Sequence, residues 1–178
     1  MNEKTAIRLL QENNCSQKVI DHCRAVAGLT RKIADRIPQC SSKRAVLGAL
    51  LHDIGRSMSH SIKHAYEGAQ IAEKLGIDKD IIGIIRNHIG AGLTQEEAVS
   101  LGLPKEDFMP HTIEEKVVAH ADNLLKHTTK EKLDKILKRL RTEGKEAAAV
   151  RFEALHKELS DLAGIDLDEI EFYFKSSI

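Results

Sequence analysis

Apolar residues recur at intervals of three and four along almost the whole chain, the period of a helix that buries one stripe. Alternating β-branched runs bounded by turns are scarce. From Ser16 to Ile37 the set Val19, Ile20, Cys23, Val26, Ala27, Thr30, Ile33, Ala34 and Ile37 forms one such stripe, with His22 beside it and Pro38 ending it. A second helix opens after Ser41 or Ser42, either of which suits an N-cap, and runs through AVLGALLH. Apolar residues lie almost all round it, which marks a central, buried helix carrying His52 at its end. The stretch IGRSMSHS loses the period and predicts a loop, followed by a helix from about Ser61 to Leu75 that Gly76 closes. Asp78 starts DKDIIGIIRNHI, which ends at Gly90. Thr94 with Glu97 and Thr112 with Glu115 have capping-box spacing. The first opens a short helix through about Ser100, and the second opens a helix carrying EEKVVAHADNLLKH. From Thr129 onward two charged amphipathic helices, KEKLDKILKRLR and KEAAAVRFEALHKELSDLA, part near Gly144, and Asp166 caps a last short one.

This pattern predicts an all-α bundle, and 178 residues are enough for one domain with a real core. The predicted unit is a single domain over residues 1–178, with its informative motifs in 16–127 and a helical extension over 129–178. A hydrophobic fraction of 42% with 30% charged residues excludes a disordered chain. Lys plus Arg equals Asp plus Glu at 27 each, so no global field draws the chain to nucleic acid or to an anionic membrane. The longest apolar runs fall far short of the roughly 20 residues that a membrane helix needs. Cys15, Cys23 and Cys40 show no CxxC spacing, and MNEKTAIRLL has no basic-then-apolar leader; both point to a reducing cytoplasm.

The adjacent pair His52 and Asp53 is the most informative spot. Neighbouring side chains on a helix point about 100° apart, so the two do not readily pair with each other, yet at a helix end both can converge on an ion. Imidazole plus carboxylate suits a divalent Mn, Fe, Co, Ni or Zn ion, and the lack of a cysteine cluster argues against a structural zinc. The bland alternative is a His and an Asp that merely cap a helix. His22 upstream and Asp122 downstream, in AHADNLL, extend the pattern.

With its HCRAVAGLTRKIA, AVLGALLHDIG and VAHADNLL segments the chain resembles the HD superfamily of phosphohydrolases, built on a bundle of about five helices. The resemblance covers roughly Ser16 to His127. It implies that His22, His52, Asp53 and Asp122 hold a divalent metal. It also implies that His64, in KHAYEGA, and His88, in IRNHIG, are further ligands, with Asp53 bridging two ions, as in the HD-type diadenosine tetraphosphate hydrolases and the HDIG-type phosphodiesterases. The cyclic-di-GMP subgroup is disfavoured, because the chain lacks a His-His pair and a GYP tripeptide.

The implied chemistry is hydrolysis of a phosphoester or phosphoanhydride in a nucleotide or related small molecule, with the metal activating water and Asp53 at its centre. Arg56 is placed to hold a phosphate oxygen, a role that a guanidinium fills with two donors at once. Lys63 and Arg86 are further candidates for phosphate contact, though a solvated role suits each. His60, His111, His120, His127 and His156 have no motif behind them and read as structural or surface residues; His120 stands about 200° around the helix from Asp122. The KEKLDKILKRLR helix has a cationic face, but its acidic positions dilute the field and it lacks stacking aromatics. A lid, a dimer contact or a plain bundle helix is its expected role, and nucleic acid is not an expected partner. Two alternatives remain: a phosphodiesterase acting on cyclic or RNA-terminal phosphates, and a metal-stabilised nucleotide-binding or regulatory module without turnover.

Overall fold

Six of the nine α-helices among the described residues begin where a side-chain oxygen takes one of the amides that the first turn leaves free. In the computed structural model, which describes residues 1–175, nine α-helices and one short hairpin are present among those residues. Asn2 caps α1 (Glu3–Glu12), Ser16 caps α2 (Gln17–Ala34) and Ser41 caps α3 (Ser42–Leu51). After a 3-10 turn at Ile54–Ser57 come α4 (His64–Lys74) and α5 (Lys79–Asn87), the latter capped by Asp78. Thr94 and Glu97 form the expected capping box on α6 (Gln95–Ser100), and Thr112 caps α7 (Ile113–Asn123). Two-residue strands β1 (Leu125–Lys126) and β2 (Thr129–Lys130) pair antiparallel, with Leu125 opposite Lys130. Then α8 (Leu133–Thr142) and α9 (Glu146–Ala163) lead to a 3-10 turn at Leu167–Glu169, capped by Asp166.

The expected central helix is α3: every residue from Ala45 to Leu51 is buried, and α1, α2, α5 and α7 all pack on it. The stripe of α2 lies against α3 and α7, so the three helices that present His22, His52 and Asp122 are mutual neighbours. α8 and α9 pack on each other, and α9 joins the body of the molecule through α7. No described helix is long and apolar enough to cross a membrane.

Several expectations need correction. The chain opens with α1, which the sequence reading passed over although Ala6 and Leu10 on it are fully buried. α4 starts at His64 rather than Ser61, because the hydroxyls of Ser59 and Ser61 bond to one another and to backbone amides in a local turn. α2 stops at Ala34, although Ile37 is still buried beyond it. The helix at EEKVVAHADNLLKH ends at Asn123, and the hairpin occupies residues that had been assigned to the ends of two helices. The second capping box is only half made: the Glu115 carboxylate accepts from the amides of His111 and the Asn87 side chain, each at 2.9 Å, not from the N-cap amide. The last three residues of the proposed C-terminal extension lie outside the described residues.

Candidate metal centre

The bundle gathers six side chains that are up to 100 positions apart in sequence. His22 projects from the middle of α2, His52 is the C-cap of α3, His64 is the first residue of α4, His88 is the C-cap of α5 and Asp122 lies near the end of α7. Asp53 follows His52 with φ −98° and ψ 16°, in the sparsely used bridge region where the helical path breaks. Gly55 then lets the turn press on α4: a Cβ there would stand 2.0 Å from the His64 carbonyl oxygen. This close approach sets His64 against Asp53.

The two oxygens of Asp53 face different partners. Oδ2 lies 4.0 Å from His22 Nε2 and 3.8 Å from His52 Nε2, and these two nitrogens lie 2.9 and 3.5 Å from Asp122 Oδ1. Oδ1 lies 3.0 Å from His64 Nε2 and 3.8 Å from His88 Nε2. The carboxylate therefore stands between two sets of donors, His22, His52 and Asp122 on one side and His64 and His88 on the other.

All four imidazoles are oriented in the same way. Nδ1 of His52, His64 and His88 each bonds at 2.7 Å to the carbonyl three residues earlier, of Ala49, Ser61 and Ile85. Nδ1 of His22 bonds at 2.6 Å to the carbonyl of His127. A carbonyl only accepts, so in each case Nδ1 carries a proton, and each ring in its neutral form turns a lone pair on Nε2 toward the centre. The consequence is a conflict that protein atoms do not resolve. His64 Nε2 and His88 Nε2 face one another at 3.0 Å, and His52 Nε2 is fully buried without a hydrogen-bond partner. Converging nitrogen lone pairs beside carboxylate oxygens are what a divalent cation requires, and second carbonyl contacts on the ligand rings are the usual support for it. Three overlapping triplets of donor atoms in this cluster lie within 4.8 Å of one another. The residues fit a divalent metal.

Charge is distributed accordingly. Where protons stand on Nε2 in place of an ion, burial would lower His52, but Asp53, Cys23 and Asp122 hold it well above its usual range. Burial would raise Asp53, but the charge on His52, a hydrogen bond from His64 and the proximity of His88 then hold the carboxyl far below its own. Asp122 is likewise held low against burial by His52 and His22. Burial, then repulsion from His52 and His64, pushes His88 down to about 3, so it is a neutral donor.

Arg56 lies at the edge of the cluster. Its Nε donates to Asp53 Oδ1 at 3.0 Å and its Nη1 to the His60 carbonyl at 3.0 Å, which leaves Nη2 without a hydrogen bond among the described residues. Arg86 is not brought to the cluster: its guanidinium pairs with Glu106 and lies 4.7 Å over the Phe108 ring. Lys63 is exposed and runs past Gly102. Two contributors were missed in the sequence. The His127 carbonyl that orients His22 belongs to an unforeseen hairpin. Lys18 lines the cavity of about 360 Å³ that opens beside His22, Asp53 and Arg56. His120 turns away, as its angular position required, and pairs with His156 at 3.0 Å.

The fold and this cluster define the class. The chain belongs to the HD domain family, whose pattern matches residues 19–126, and HD domains bind divalent metals. Among its relatives is a tRNA (cytidine(56)-2'-O)-methyltransferase of Picrophilus torridus, 42% identical over 94% of this chain and 49% of that protein. The chain thus spans about half the length of that relative. A Methanocaldococcus jannaschii protein described only as uncharacterized is 44% identical over 78% of this chain and 84% of its own length. Among solved structures, the HD domain of the Listeria monocytogenes phosphodiesterase PgpH in complex with cyclic-di-AMP shares the fold. It has a TM-score of 0.55 and 16% identity over 94% of this chain and 100% of that one.

Proposed function

We propose that this HD domain is a metal-dependent phosphohydrolase that cleaves a phosphoester or phosphoanhydride of a nucleotide or related small molecule. The observation that carries the reading is the uniform orientation of the four imidazoles, whose inward lone pairs stand on either side of Asp53. His22, His52, Asp53 and Asp122 would hold one ion, and Asp53, His64 and His88 a second. A divalent cation supplies, when bound, a lowered pKa for water and positive charge against phosphoryl oxygens. The rest is the work of the chain. Backbone carbonyls fix each ring before substrate arrives, so little reorganisation is needed. Asp53 offers both oxygens, one toward each set of donors. The free Nη2 of Arg56 is available for a phosphate oxygen in the adjoining cavity, with Nε and Nη1 fixing its plane.

Protein loaded with Mn, Fe, Co, Ni or Zn and incubated with a broad panel of nucleotides and phosphoesters should release phosphate or nucleotide. His52→Ala and Asp53→Ala should reduce turnover by at least about 10³-fold, and undiminished turnover in either variant would refute the reading. The relatives favour a second reading, a phosphodiesterase on cyclic or RNA-terminal phosphates. One relative's name carries a tRNA-modifying activity, and the solved neighbour is a phosphodiesterase bound to a cyclic dinucleotide. A 3'-phosphorylated and a cyclic-phosphate RNA end belong on the same panel, and preferential cleavage of those substrates selects this reading over the first.

A further inference from the structure

The cavity beside the candidate metal centre does not end there. His127 lines it and also lines a second cavity, of about 710 Å³, over the hairpin and the start of α8. This second cavity is edged by Lys126, Lys130, Lys132 and Lys135 against two carboxylates, Glu131 and Asp134. Glu131 is already neutralised by Arg139 and Lys135, and Lys130 is spent on the carbonyls of Leu167, Asp168 and Ile170. Lys126 and Lys132 are exposed and pair with no carboxylate among the described residues, and the same holds for Lys18 in the first cavity. The cationic face sought along the α8 sequence is thus assembled instead from the hairpin and the N-cap of α8.

We infer that the two cavities form one track for a single-stranded nucleic acid, whose terminal phosphate lies at Arg56 and Lys18 and whose next phosphates lie at Lys126 and Lys132. This rests on the phosphohydrolase reading of the adjoining site. Three features select a nucleic acid rather than an acidic peptide. The track begins at a centre suited to phosphate, its unpaired cations are divided between the two cavities, and His60 and His127 offer planar imidazole faces on which bases can stack. His127 itself stands at φ +59° in the two-residue turn of the hairpin, a position that favours glycine. A histidine held there against its backbone preference is a ring placed at the junction of the two cavities.

The test is fluorescence anisotropy with labelled 3'-phosphorylated RNA of eight nucleotides and with the corresponding mononucleotide, across a salt series. The octamer should bind at least about tenfold more tightly than the mononucleotide. In the Lys126→Glu, Lys132→Glu double variant that ratio should fall toward one, and the log–log salt slope should flatten by about 1.4, near 0.7 for each lost phosphate contact. His127→Gly suits the turn, so it should keep the melting temperature while lowering octamer affinity. Equal affinity for octamer and mononucleotide in the wild type would overturn the track. An unchanged ratio in the lysine variant, or polyglutamate of matched charge binding as tightly as the octamer, would do the same. Because binding is read without turnover, length-dependent binding with no hydrolysis would defeat the phosphohydrolase reading and leave the track standing. Hydrolysis of mononucleotides without length dependence would do the reverse.

Discussion

A histidine has two ring nitrogens, and the hydrogen bond on one decides what the other can do. In this chain that bond is always to a backbone carbonyl, three times within one helical turn and once from His22 to His127. The carbonyls carry no sequence signal, which is why the residue types of the site were legible and their orientation was not. The doublet His52–Asp53 could be read because an Asp directly after a His at the end of an apolar helix is hard to explain by packing. Arg86 could not be placed, because its partners Glu106 and Phe108 come from an irregular stretch some twenty residues on. The division of donors about Asp53 makes a specific prediction. Elemental analysis of purified protein should find two divalent ions per chain. His64→Ala should lower this to one, whereas Asp53→Ala, which removes the shared carboxylate, should lower it further. Equal metal content in wild type and His64→Ala would show that His64 is no ligand.

Among the elements, the long helices announced themselves and the short hairpin did not. Caps located α2, α3, α5, α6 and α7 to within a few residues, since each starts at a side-chain acceptor, and the apolar period alone located α8 and α9, whose first turns have no side-chain cap. Strands of two residues have no period to detect, yet this hairpin carries the His127 carbonyl and lies between α7 and α8. Glu131 ties it down. The side chain is buried and accepts from Arg139 at 2.6 Å and Lys135 at 2.7 Å, while its amide donates to the Leu124 carbonyl at 2.7 Å. The bonds from Arg139 and then Lys135 hold its carboxyl below the usual glutamate range. A folded-state pKa below the unfolded value, about 4.3, contributes stability that is present above that value and is lost as pH falls through the folded one. Because both cations are largely exposed, the contribution is about 1 kcal/mol. Urea denaturation should therefore find Glu131→Gln less stable than wild type by about that amount at pH 7, with the gap narrowing as the pH falls below the unfolded value of about 4.3. A gap that stays constant with pH would mean that charge plays no part.

At the scale of the whole molecule, the candidate ligands come from α2, the end of α3, the turn after it, the start of α4, the end of α5 and the end of α7. α2, α5 and α7 are already packed on α3, and α4 on α5 and the turn, so the bundle can form from its apolar core alone; the site adds inward lone pairs and two carboxylates that attract a cation but repel one another. Bound cations would therefore do two things at once: between them they would satisfy His52 Nε2 and the opposed His64 and His88 nitrogens, and they would tie five helices to one cluster. Binding to the folded state alone stabilises by about 2.7 kcal/mol at a hundredfold excess of ligand over Kd. For a chain of this size that corresponds to about 5 to 10 °C in melting temperature. Dialysis against a chelator should lower Tm by that margin without unfolding the protein at room temperature, and adding back manganese or another of the divalent ions named above should restore it. His52→Ala, which removes a donor from one of the two sets only, should show a smaller difference in melting temperature between chelated and metal-loaded protein than wild type. A wild-type Tm that ignores chelation and re-addition alike would mean that these six side chains gather for a reason other than metal.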